Sequence, residues 1–243
     1  MTTRDEPILR LSGICFGYPG EKPILSGVDL SLYRGSRIGL MGPNGSGKTT
    51  LFHLIMGLLK PTAGSIEIFG KKVSREGDFL PVRQRIGLLF QDSDDQLFSP
   101  TVIEDVAFGP LNLGKTRSEA AEIARKTILQ LGLGGFEERL THKLSGGEKR
   151  LVSLATVLAM EPEVLLLDEP TNGLDEITKS KIREILIGLG LSYILISHDF
   201  DFLEETTDTV CLMKEGKILT DAEIALHRHI HAHRLGGIPH EHE

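Results

Sequence analysis

No apolar run in this 243-residue chain approaches the roughly 20 residues that a bilayer-spanning helix needs. The start, MTTRDEPILRL, lacks the charged-then-apolar layout of a secretory signal, so the expectation is a soluble chain that is not exported. Cysteine is scarce: Cys15 and Cys211 stand far apart in apolar, strand-like segments. That spacing excludes a CxxC metal site and a disulfide framework and leaves buried, reduced thiols as the expectation. Positive charge is in deficit as well. With 27 Lys and Arg against 34 Asp and Glu, the formal net charge is −7. This argues against a broad nucleic-acid surface, so any polyanion has to be held locally. No internal repeat splits the chain, which points to one α/β unit with a sizeable core.

What is present is an alternation. Segments rich in β-branched and apolar residues at 8–18, 37–41, 64–69, 85–90, 164–168 and 193–197 are interleaved with helix-patterned stretches at 48–58, 117–131, 147–160 and 177–189. The pattern predicts a mixed sheet flanked by helices. Two places break the βαβ rhythm: antiparallel-looking strands near the start, and a mostly helical stretch at 91–145 that opens on the acidic run QDSDDQLFSP. The second is expected to be a helical subdomain inserted into the core, at about 91–160 once the following helix is included. Beyond Ser197 a short acidic helix and a hairpin turning at Glu215-Gly216 are expected, then a separate tail at 221–243 that holds six of the nine histidines.

After the strand 37–41 comes GPNGSGKT, which is GxxxxGK followed by Thr and leads straight into a helix-patterned segment. Its residues are Gly42, Pro43, Asn44, Gly45, Ser46, Gly47, Lys48 and Thr49, with Thr50 next. The glycines let backbone amides point inward, the helix start directs its positive end at phosphates, Lys48 supplies a cation to the β- and γ-phosphates, and Thr49 is placed to ligate Mg2+. The expected ligand is ATP. The run Val164-Leu165-Leu166-Leu167-Asp168-Glu169-Pro170 is a buried strand ending in two carboxylates at the sheet edge where open α/β folds bind ligands. Asp168 is expected to hold Mg2+ through its water shell. Glu169, one residue on, is expected to polarise or orient a water in line with the γ-phosphate. Taken alone, Asp-Glu-Pro also reads as an acidic turn.

Leu144-Ser145-Gly146-Gly147-Glu148-Lys149-Arg150 opens a further helix, with Ser145 as its N-cap and glycines that allow an anion to approach. With this motif the chain, from about Leu9 to about Leu219, closely resembles the nucleotide-binding subunits of ABC transporters. LSGGE looks like their signature, ending in Glu148 where many members carry glutamine. The resemblance implies a P-loop NTPase of ABC type, with a mixed sheet core, an antiparallel β lobe and an inserted helical subdomain spread over residues 1–220. It further implies that Ser145, Gly146, Gly147 and Glu148 of one copy meet the γ-phosphate of ATP held by a second ABC ATPase, an identical chain or a close paralogue, in a head-to-tail dimer. Carried over residue by residue, Tyr18 resembles the aromatic that stacks on adenine, and Gln91 the glutamine that senses Mg2+ and the γ-phosphate. Gly173-Leu174-Asp175 resembles the loop crossing the dimer seam, and His198 the switch histidine that helps hold Glu169 and the attacking water. In isolation these read more blandly: Tyr18 as a strand aromatic, Gln91 as a loop residue and His198 as a satisfied histidine at a strand end.

ABC ATPases also serve DNA repair, chromosome organisation and translation. The repair and chromosome members insert long coiled coils between phosphate loop and signature, whereas only residues 50–143 separate the two here, without sustained heptads. The translation members carry two cassettes, and this chain has one. The stretch from Phe90 to Pro110 resembles the energy-coupling-factor ATPases, most closely the cobalt and nickel branch. The resemblance implies a transmembrane coupling subunit with arginine-bearing helices, a membrane subunit that captures the substrate, no nucleic acid, and a peripheral place on the cytoplasmic face of the cell membrane. Asp92, Asp94 and Asp95 suit a basic partner, and Leu97 and Phe98 offer an apolar anchor. A vitamin importer is the nearest alternative. In the tail, His227, His229, His231 and His233 alternate. As a helix they form i,i+4 pairs, and as a strand they share one side; either geometry can take Ni2+, Co2+ or another transition metal. An idle tail is the competing reading.

Overall fold

The computed structural model describes residues 6–20 and 22–219. The metal-binding histidines expected in the tail therefore lie outside the described residues. Among the described residues, two sheets carry the fold. The first is antiparallel and has the order β2-β1-β4-β5, from β1 (Leu9–Phe16), β2 (Leu25–Leu32), β4 (Ala63–Ile68) and β5 (Lys71–Val73). The second has six strands in the order β10-β9-β3-β8-β7-β6, from β3 (Arg37–Met41), β6 (Ile86–Leu89), β7 (Val164–Asp168), β8 (Ser192–Ile196), β9 (Thr209–Lys214) and β10 (Lys217–Leu219). All its neighbours are parallel except the hairpin β9–β10. The amide of Ser26 donates to the carbonyl of Gly216 at 2.9 Å and joins the antiparallel lobe to the edge of the larger sheet.

The central strands are apolar on both faces because both faces are covered. Val164, Leu166, Ile194 and Ile196 pack into a core shared with the antiparallel lobe and with α1 (Lys48–Ile55) and α2 (Glu76–Arg83). Leu165, Leu167, Tyr193 and Leu195, one residue out of phase, pack into a second core with α4 (Arg117–Gln130), α5 (Gly146–Leu158) and α6 (Glu176–Gly188). The period-2 alternation of a strand sorts one apolar run into two cores. Each such side chain contributes about 1.5–3 kcal/mol when fully buried. Helix α3 (Val102–Asn112) packs with α4 and α5 into a helical subdomain on this side, and α7 (Phe200–Thr206) follows β8.

Among the described residues Cys15 and Cys211 form no disulfide, and both are only half-buried, a correction to the expectation of buried thiols. The cause is position: β1 bulges around Cys15, where its register with β2 and β4 shifts, and Cys211 lies on β9, near the edge of its sheet.

Candidate nucleotide site

Strands β3, β8, β7 and β6 are neighbours in that order and their carboxyl ends are level: Leu40 pairs with Ile196, Ile196 with Asp168 and Leu167 with Leu89. The residues that follow these ends are Gly42, Ser197, Glu169 and Phe90. Topology alone thus brings the phosphate loop, His198, the Asp168-Glu169 pair and Gln91 to one sheet edge.

The loop between β3 and α1 is closely fitted. A Cβ on Gly42 would stand 2.1 Å from the carbonyl oxygen of Met213, so no side chain fits there. Gly47 caps α1 at φ 101, a left-handed conformation that favours glycine, and leaves the first turn without a side-chain cap. The amides at the start of α1 therefore remain for a ligand. Lys48 is buried and donates to the carbonyls of Gly42 at 2.8 Å and Pro43 at 3.2 Å. Burial lowers its pKa, against the pull of Glu169 and Asp168.

Asp168 and Glu169 are both buried. Burial raises the pKa of each: for Asp168 against a hydrogen bond from Thr49 and the charges of Lys48, His53 and Arg150, and for Glu169 chiefly against His198. Glu169 has φ 47, unusual for a residue with a side chain and worth about 1–2 kcal/mol of strain. Its amide donates to Ile196 at 3.0 Å, which fixes the turn. The Oε2 atom accepts from the His198 amide at 3.4 Å, while Oε1 is buried with no hydrogen-bond partner among the described residues. The His198 Nε2 lies 3.4 Å from that oxygen, but its hydrogen bond goes to Asn44 Oδ1 at 3.0 Å. A buried orphan oxygen beside an amide-lined loop is a place made for a further polar group. Asn44, Gly45, Gly47, Lys48, Thr49, Thr50, Gln91, Asp168, Glu169 and His198 line one cavity of about 420 Å³ there, together with Asn172 and Ile196. Thr49, Gln91 and Asp168 offer it hydroxyl, amide and carboxylate oxygens, the donor set of Mg2+.

Other expected residues are placed apart from this cavity. Tyr18 is exposed on the loop after β1 and meets Phe16 edge-on at 5.2 Å. Ser145 is the N-cap of α5: its hydroxyl accepts from the Glu148 amide at 3.3 Å and its own amide donates to Glu148 Oε2 at 2.8 Å. Gly146 lines a second cavity of about 650 Å³, which shares Thr49, Gln91, Asp168 and Asn172 with the first. Asp175, beyond Gly173 and Leu174, caps α6 through Thr178.

No sequence pattern announces the role of Arg150. This guanidinium is 4% exposed and donates to the carbonyls of Phe90, at 2.6 Å, and Gln91. It ties α5 to the loop that carries Gln91. Gln96 and Asp105 brace the same loop: Gln96 accepts from the Phe90 amide at 3.2 Å and donates to the Ser153 carbonyl at 2.9 Å and the Thr156 hydroxyl at 2.8 Å, and Asp105 accepts from the amides of Phe98 and Ser99.

A family model described as ABC transporter matches residues 25–172, more than half of the chain. The chain belongs to the ABC transporter ATPases. A putative ABC transporter ATP-binding protein of Nitratidesulfovibrio vulgaris is 48% identical over 241 residues, 99% of this chain and 88% of the relative. An energy-coupling factor transporter ATP-binding protein of Methanothermobacter thermautotrophicus is 42% identical over 88% of this chain and 70% of its own length. Among solved structures, CbiO1 from Clostridium perfringens, described as part of the ABC transporter complex CbiONQ, is 34% identical with a TM-score of 0.81, covering 95% of this chain and 96% of its own. The dimeric ABC transporter cassette MJ0796 is 27% identical with a TM-score of 0.79, covering 87% and 97%. As a member of this family the chain is an ATP-binding, ATP-hydrolysing subunit of a transporter, and no helix of the described residues is long and apolar enough to cross a membrane.

Proposed function

We propose that this ABC ATPase powers an energy-coupling-factor importer for nickel or cobalt, from the cytoplasmic face of the cell membrane, through a separate transmembrane subunit that works with a substrate-capture subunit. The observation that carries the reading is the surface just past Gln91. Asp92, Asp94 and Asp95 are exposed there, and Phe98, also exposed, stacks edge-on against Phe108 at 4.7 Å. Leu58, Phe98, Phe108 and Met160 line an adjoining groove of about 350 Å³ with the acidic Asp95 on its wall. An acidic rim beside an aromatic groove suits a helix that presents arginines and an apolar side chain. Because Arg150 and Gln96 brace that surface against α5 and Gln91, a docked helix acts on the nucleotide site through them.

Residues 1–220 form the ATPase domain, with the helical subdomain at about 91–160 and the tail at 221–243. Within the domain, Tyr18 stacks on adenine, and residues 42–50 hold the phosphates with Lys48 as the cation. Thr49, Gln91 and Asp168 would hold Mg2+, which neutralises phosphate charge when bound. Glu169 orients and deprotonates the attacking water; its orphan Oε1 and raised pKa suit an acceptor of that proton. His198, now on Asn44, turns to the γ-phosphate and steadies Glu169. Ser145, Gly146, Gly147 and Glu148 close on ATP held by a second copy or a close paralogue, and the loop at Gly173-Leu174-Asp175 crosses the seam.

His227, His229, His231 and His233 bind the cargo metal and adjust turnover. Calorimetric titration with Ni2+, Co2+ and Zn2+ of the full chain and of a chain ending at Asp221, alongside ATPase rates, tests this. Binding lost with the tail, a metal effect lost with it and basal hydrolysis intact would support metal import. A metal response that survives truncation would end the role of the tail, and absence of binding would move the cargo toward vitamins.

A further inference from the structure

Glu148 stands in the first turn of α5, where a carboxylate serves the helix and opposes an incoming phosphate. Its Oε2 is held by the Ser145 amide at 2.8 Å and its Oε1 by Arg139 Nη1 at 3.0 Å. Arg139 arrives from a prepared segment. Its carbonyl accepts from the Val102 amide at 3.1 Å, its amide donates to Phe136 at 2.9 Å, and its guanidinium lies 3.5 Å from the centre of the Phe136 ring. The other cations near this helix start are engaged elsewhere or unengaged. Lys149 pairs with Asp94 at 2.5 Å, Arg150 is spent on Phe90 and Gln91, and Lys143 makes no ion pair among the described residues. Among the described residues, Arg139 is the one cation that pairs with Glu148.

We propose that Arg139 is a positioning residue of the signature: it cancels the charge of Glu148 and holds that carboxylate on the Ser145 amide, so that ATP on a second copy meets hydroxyl and amide donors instead of an exposed anion. The inference rests on the head-to-tail dimer proposed above. Without Arg139, Glu148 becomes a like charge facing the γ-phosphate at the seam, and a symmetric dimer suffers this twice. The geometry further implies that the need for Arg139 exists only because position 148 is acidic.

The experiment uses the full chain as wild type, Arg139→Ala, Glu148→Gln and the double variant. It measures dimerisation driven by a non-hydrolysable ATP analogue in the ultracentrifuge, and binding of a fluorescent ATP analogue at concentrations where the chain is monomeric. Arg139→Ala is expected to raise the analogue concentration for half-maximal dimerisation by about tenfold, more at low salt than at high salt, and to leave monomer binding unchanged. In the Glu148→Gln background the same change is expected to shift the midpoint by less than about twofold. Equal damage with Glu or Gln at 148 would overturn the proposal and reduce Arg139 to a packing partner of Phe136, and a harmless Arg139→Ala would overturn it outright. A wild-type chain that binds the analogue but never dimerises would overturn the dimer reading itself, and this inference with it.

Discussion

Helices α1 and α5 both begin beside glycines, and their heads are built in opposite ways. At α1 the cap is a glycine, the first turn holds no acidic residue, and the buried Lys48 stands at its first position. At α5, Ser145 and Glu148 cap each other and Arg139 neutralises the pair at an exposed surface. The α1 head leaves amides unsatisfied and adds positive charge, so it is stable only in the sense that a binding site is: it gains from an anion. The α5 head is satisfied in a single chain and has nothing to gain until another molecule arrives. On the proposed head-to-tail reading, one half of the nucleotide site is complete within this chain, and the other is kept quiet until a partner supplies ATP.

The complete half should break hardest. Glu169→Gln preserves shape and removes the proposed proton acceptor, so turnover should fall by about a thousandfold while ATP binding persists; single-turnover hydrolysis and equilibrium binding, measured together, separate the two. An ATP-bound dimer should accumulate. Near-normal turnover with persistent monomer would mean that the orphan oxygen of Glu169 serves something else. Lys48→Ala comes next, with ATP affinity about a hundredfold weaker by titration. If affinity held, the α1 head would be no more committed to phosphate than α5.

This contrast also explains what could be read from sequence. The strands at 37–41, 164–168 and 193–197 were legible because their apolar runs are buried on both faces, and they appear at Arg37–Met41, Val164–Asp168 and Ser192–Ile196. The phosphate loop was legible because it needs glycines, Lys and Thr at set spacings between a strand and a helix. Strand β2 (LSGVDLSL) does not stand out in the sequence, since Gly27 and Asp29 interrupt its apolar pattern. Helix α2 was hidden by Pro81 in its interior. Arg150 was hidden for a different reason. Its partners are backbone carbonyls, which every residue has, so no side-chain pattern announces them. The same holds for the amides that Asp105 accepts. The Arg139–Glu148 pair joins residues nine apart across a loop, where no helical or strand period applies.

The exposed half should answer more gently, and Ser145 can test whether its head is a cap or a contact. Ser145→Ala removes the acceptor for the Glu148 amide, a hydrogen bond already long at 3.3 Å, and leaves the bond from the residue 145 amide to Glu148 in place. The cost to stability should be about 0.5–1 kcal/mol. For a chain of this size that is about 1–4 °C in Tm. ATP-driven dimerisation should weaken by about three- to tenfold, because in the proposed dimer a donor to the phosphate is also lost. Ser145→Asp separates the two roles: aspartate is as good a cap as serine, so Tm should return to the wild-type value, while its added charge at the seam should weaken dimerisation further. If aspartate instead restored both, the head of α5 would be a structural cap and nothing more, and the contrast with α1 would lose its functional meaning.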